Sequence, residues 1–174
     1  MIYPSNQYRE KIIHPHAHEM LRRISDATYI HMNPLVGMYI AHEAHLLDTM
    51  GRYAYMELRE PAFDEAETMI LFFEPSDSKK YTGRVKISQV YLAKLNEIAW
   101  AINVPPKEFL NNVIAAEFEI FVNSNKESYM VHLGKYRKEM DEVFESSRTC
   151  IYKTRKQCFV PANELKNQGG DSLL

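Results

Sequence analysis

From Thr82 to Ile87 the chain alternates. Val85 and Ile87 share one face, and Thr82, Arg84 and Lys86 share the other. A period of two predicts a strand. Ser88 then stands where a helix cap is needed. From there to about Ile102 the period becomes helical, with Leu92, Leu95, Ile98, Ala99 and Ile102 on one stripe. Asn103-Val104-Pro105-Pro106 interrupts it. A second helix begins near Pro106 or Lys107 and carries Phe109, Leu110, Val113, Ile114, Phe118 and Phe121 on a broad apolar face. A last amphipathic helix spans Glu127 to Phe144.

Earlier in the chain the pattern is weaker. His14 to Thr28 predicts a helix with Met20, Leu21 and Ile24 on one side, and Asn33-Pro34 opens another that Gly51 can stop. Tyr53 to Leu58 is ambiguous. Thr68 to Phe73 is a continuous apolar run that reads as a buried strand or a helix end. Pro75-Ser76-Asp77-Ser78 is a loop signal. The tail from Asn163 reads as disordered. The expected class is mostly α with a short β-ribbon. The expected regions are residues 1–78, 79–124 and 125–174.

Charge sharpens the division at that loop. The net charge is −2, but residues 1–78 hold 6 Lys and Arg against 12 Asp and Glu, and residues 79–174 hold 15 against 11. Lys79, Lys80, Arg84, Lys86 and Lys94 fall in a stretch without an acid, and Arg148, Lys153, Arg155 and Lys156 form a second basic cluster. Clustered positive charge suits a polyanion better than the net value suggests.

One strand and two helices in some forty residues cannot close a core, because the strand keeps an open edge and both helices keep an exposed apolar face. Pairing two such units removes both defects. The segments Arg84-Val85-Lys86-Ile87-Ser88, Leu92 to Ala99 and Asn103 to Leu110 resemble the ribbon-helix-helix family of DNA-binding proteins over residues 82–121. The resemblance implies that Thr82, Arg84 and Lys86 read bases in the major groove. It implies phosphate contact near Pro106 and Lys107 at a helix start. Asn103 stands where the family usually has Gly, and Asn tolerates a left-handed backbone. Pro105 and Pro106 remove donors, which shifts phosphate binding onto Lys107. Lys79 and Lys80 complete the candidate DNA-binding set.

A displacement of 74 residues lays Leu21–Leu47 on Leu95–Phe121, with Leu21/Leu95, Ile24/Ile98, Ala27/Ala101, Ile40/Ile114, Ala41/Ala115 and Glu43/Glu117 identical. If this is a repeat, the chain is a single-chain pseudo-dimer whose first strand lies near Tyr8 to Ile13, with Arg9 and Lys11 as its basic candidates. The poor alternation of that segment favours a homodimer instead.

Six of seven histidines lie in the first 45 residues. His14, His16 and His18 would share one face of a strand, and His42 and His45 one face of a helix, which together could hold zinc or nickel. His42-Glu43-Ala44-His45 lacks the metalloprotease spacing, and no Cys or acid completes a known ligand pattern. The expectation is therefore no metal and no cofactor. No nucleophile elbow, phosphate loop or dinucleotide fingerprint is present, so the reading is not an enzyme. Cys150 and Cys158 make neither a zinc ribbon nor a disulfide framework, which points to a cytoplasmic compartment, and no membrane span is expected. The functional expectation is a sequence-specific DNA-binding protein, such as a transcriptional repressor or a DNA-processing accessory factor. The alternatives are a protein-binding module (antitoxin or inhibitor) and a histidine-based metal-binding protein.

Overall fold

A computed structural model describes residues 8–75 and 83–144. The elements run β1 (Tyr8–Ile13), α1 (Pro15–Thr28), α2 (Met32–Met50), α3 (Arg52–Phe72), β2 (Gly83–Ser88), α4 (Gln89–Ala101), α5 (Pro106–Val122) and α6 (Lys126–Phe144). The protein is mostly α-helical, with a two-stranded antiparallel ribbon. Among the described residues no helix is long and apolar enough to cross a membrane.

The order strand-helix-helix-helix occurs twice, and the 74-residue displacement maps each element of the first set onto its counterpart in the second. Each first helix is followed by a residue in the left-handed region, Tyr29 at φ 58° and Asn103 at φ 59°. The same turn therefore links the first two helices in both halves. Asn is suited to it, whereas a tyrosine adopts it only rarely. The first helices are also capped at equivalent positions, Ser88 Oγ accepting from the Tyr91 N–H and His14 Nδ1 from the His16 N–H. Leu21, Leu95, Ile24, Ile98, Ile40 and Ile114 are all buried in one core, which is why these identities recur.

The two halves interlock. β1 pairs with β2, and in that register Lys11 lies opposite its own counterpart Val85, at the local two-fold. α1 packs mainly on α5 and α2 on α4, while α3 covers α5 and α6 covers α2. Each half thus buries its apolar faces against the other. Gly83 is required where the strands meet: a Cβ there would lie 2.8 Å from the Ile13 carbonyl oxygen and 2.9 Å from His18 Cβ.

Two expectations are corrected. The edge of β2 that would pair with a second chain is taken by β1, so the ribbon is made within one chain rather than between two. His16 and His18 lie in the first turn of α1, not on a strand, because Pro15 opens a helix there. Of the two readings of Thr68 to Phe73, the helix end holds: Thr68 to Phe72 closes the 21-residue α3, with Leu71 and Phe72 exposed. α3 tolerates Pro61, and it leaves α2 through Gly51, whose φ of 83° favours glycine. The predicted disordered tail, Cys150, Cys158 and the basic cluster from Arg148 to Lys156 lie outside the described residues.

Candidate nucleic-acid interface

The ribbon presents one face to the helices and one to solvent. Val85 and Ile87 are buried, which turns Arg84 and Lys86 outward. Arg84 keeps 56% of its side chain exposed. Opposite residues of an antiparallel pair share a face. Arg84 faces Ile12, and Lys86 faces Glu10. The outer face therefore combines Arg84 and Lys86 from β2 with Glu10 and Ile12 from β1. Glu10 Oε1 lies 3.7 Å from Arg84 Nη1, and Ile12 is 57% exposed. Arg9 and Lys11, the expected basic candidates of β1, fall on the inner side, opposite the buried Ile87 and Val85. Alternation assigns them there once the register is known.

Helix starts flank both strands. Asn33, in the first turn of α2, accepts the outward N–H of Lys86 through Oδ1 at 3.1 Å. Its counterpart 74 positions on is Lys107, exposed in the first turn of α5. Lys107 lies near the end of β1, where Asn111 Oδ1 accepts the His14 N–H at 2.9 Å. Burial lowers the pKa of His14, and the charges of His16 and Lys107 add to the effect. His18 is lowered chiefly by burial and next by Arg22. Sequence reasoning missed Asn33, Glu10 and Ile12; the 74-residue displacement applied to Lys107 points to Asn33. Of the predicted DNA-binding residues, Arg84 and Lys86 share the outer face and Lys107 stands apart at a helix start. Thr82, Lys79 and Lys80 lie outside the described residues.

The histidines of the N-terminal half fall in separate places, apart from the His14 and His16 rings, which meet edge-on at 4.8 Å. His16 Nδ1 is 2.7 Å from the Ile70 carbonyl, His42 Nδ1 is 2.8 Å from Glu139 Oε2, and His45 Nε2 lies 3.5 Å from Thr49 Oγ1. Among the described residues no three His, Cys, Asp or Glu side chains are grouped to hold a metal. The polar residues that do converge are buried. Glu43 accepts from the Tyr55 hydroxyl at 2.6 Å and from both Nε and Nη2 of Arg59. Glu117 accepts from the hydroxyls of Tyr129 and Tyr136 at 3.0 and 2.6 Å, with His132 Nε2 at 3.4 Å. Burial pushes the Glu43 carboxyl up, against the pull of Arg59 and Tyr55.

No protein-family model, no curated protein and no solved structure matches the chain.

Proposed function

We propose that this chain binds double-stranded DNA sequence-specifically, laying the β1–β2 ribbon in the major groove and acting as a transcriptional repressor or DNA-processing accessory factor. The observation that carries the reading is the outer face of β2, where buried Val85 and Ile87 hold Arg84 and Lys86 outward. Arg can grip guanine through two hydrogen bonds, and Lys can bond guanine or phosphate. Lys107, exposed in the first turn of α5, supports a backbone-phosphate contact in this reading. With both strands in one chain, the reading head is asymmetric. β2 supplies the cations and β1 supplies Glu10 and Ile12, so the target half-sites would differ in sequence.

A protein-binding role is the second reading, favoured by the same two residues of β1. An exposed isoleucine beside an acid and two cations is a mixed surface of the kind that docks a protein. The experiment is titration of a random duplex pool over a range of salt, followed by selection for an enriched site. Binding that weakens steeply with salt and yields one enriched, non-palindromic site supports the DNA reading. No duplex binding at low salt removes it and leaves the protein-binding reading.

A further inference from the structure

Between α3 and α5, away from the ribbon, lies a cleft of about 190 Å³, room for roughly six water molecules at liquid density. Its walls are apolar, formed by Met56, Phe63, Ile102 and Val104. Four carboxylates line it as well. Glu60, Asp64 and Glu67 follow one another on a single face of α3, and Glu108 stands in the first turn of α5. The one cation lining it, Arg59, is already bound to Glu43 by two hydrogen bonds. The cleft is therefore apolar inside and strongly anionic.

Asn112 gives the cleft a second feature. It is one turn beyond Glu108 on the same stripe of α5 and lines the cavity, yet it is only 3% exposed. No described residue hydrogen-bonds its carboxamide. Its amide opens on the cleft, where water or a ligand group takes up its donors and acceptor. An apolar side chain can fill this place, as the repeat shows: the position equivalent to Asn112 is Met38. The other equivalents are also different, with Pro34 for Glu108, Gly134 for Glu60 and Lys138 for Asp64. The two-fold-related position between α6 and α2 thus lacks the amide and most of the acids. The polar lining is present in one of the two pseudo-equivalent clefts alone.

We propose that this cleft binds a primary alkylammonium group, its ammonium among the carboxylates and the Asn112 carbonyl, its methylenes against Met56, Phe63, Ile102 and Val104. A metal ion would leave the apolar walls unused, and an anion would meet four carboxylates. The neighbouring Glu67 carboxyl raises the Glu108 pKa, and an arriving ammonium would relieve the crowding of the two acids. The proposal is independent of what the ribbon binds.

The test is titration of the full-length chain with n-butylammonium chloride, following the backbone amides of α3 and α5 by NMR, with n-butanol and sodium chloride as controls. Saturable binding at one site per chain, absent with both controls, is expected. Asn112→Leu should weaken it roughly tenfold to a hundredfold, the value of a hydrogen bond to a charged group. Glu108→Gln, at an exposed position where folding is not at stake, should weaken it by a similar factor. A second titration with the blocked amino acid Nα-acetyl-lysine methylamide separates the sources. Binding of both probes admits the lysine side chain of a protein, and binding of n-butylammonium alone restricts the cleft to free amines. n-Butylammonium binding no tighter than n-butanol, or unchanged by Glu108→Gln, overturns the proposal.

Discussion

Glu43 and Glu117 stand 74 residues apart, at equivalent places in the second helix of each half, and each buried carboxylate accepts a hydrogen bond from the tyrosine twelve residues further on. Tyr55 and Tyr129 reach them from the third helices, α3 and α6. The Tyr129 hydroxyl also meets that of Tyr39 at 2.9 Å. The carboxylate–tyrosine pair survives where the surrounding residues have diverged, Arg59 in one half against Leu133 in the other. It fastens each third helix to the core of the pseudo-dimer.

The two halves should respond differently to losing a partner. Arg59→Leu removes the cation that, among the described residues, is bonded to Glu43, which is 3% exposed, and leaves a buried charge with the Tyr55 hydroxyl. A loss of about 3–5 kcal/mol is expected. Tyr129→Phe leaves Glu117 with Tyr136, so its cost should be about 1–3 kcal/mol. Urea unfolding followed by circular dichroism measures both. Trp100 is a poor reporter, being the single tryptophan and 85% exposed. Equal costs for the two variants would mean that the Arg59 bridge adds nothing beyond a hydrogen bond.

Acid should destabilise the fold through His42. Its ring stacks on Tyr136 at 3.9 Å. Burial, then the charges of Arg59, His132 and His45, lowers its pKa from 6.5 to about 3. Between those values the folded protein keeps His42 neutral while the unfolded chain is protonated, so unfolding takes up about one proton. Stability is therefore full above 6.5 and declines as pH falls below it. His14 and His18, also lowered, act in the same direction. The urea midpoint should drop on mild acidification, and His42→Gln should reduce the drop. A midpoint that rises instead would show that the Glu139 carboxylate, 2.8 Å from Nδ1, keeps the ring charged.

The second half of the molecule was legible because its periods are clean. The strand, the Ser88 cap, the left-handed Asn103 and the Pro106 start all follow from residues 82–106. The first half was harder to read because its strand has Arg9 and Lys11 on the inner side, and alternation fails when charged residues occupy a half-buried face. Only the displacement, which lays Arg9, Lys11 and Ile13 on Gly83, Val85 and Ile87, reveals that face. α3 was missed because its exposed apolar end, Leu71 and Phe72, imitates a buried strand, and Pro61 interrupts its pattern. The α3–α5 cleft left no local signal, since Asn112 and Glu67 come together only through packing of helices distant in sequence.

Interlocking makes the weakly patterned half as important to stability as the clear one. Leu21 and Leu95 are equivalent and both buried. Leu21→Ala and Leu95→Ala should each cost about 2–5 kcal/mol, from lost transfer energy plus the cavity. Both should unfold the chain in a single transition seen alike by near- and far-ultraviolet circular dichroism. Two transitions in the Leu21→Ala protein would mean that the second half folds without the first.

Glu10 offers the sharpest test of the ribbon, because it predicts a gain. Arg84→Ala should weaken binding to the selected duplex by about 1–3 kcal/mol and relax base preference at one position. Lys107→Ala should weaken all duplexes alike and flatten the salt dependence by about one unit of slope. Glu10 lies on the same outer face, 3.7 Å from Arg84, and would enter the groove beside phosphate. Glu10→Gln removes that repulsion and releases Arg84, at an exposed position where folding should be unaffected. Duplex affinity should therefore rise, with Arg84→Ala abolishing most of the gain. If Glu10→Gln leaves duplex binding unchanged while Arg84→Ala and Lys86→Ala are also silent in folded protein, the outer face of the ribbon does not touch DNA. The cations of β2 then serve a protein surface together with Ile12.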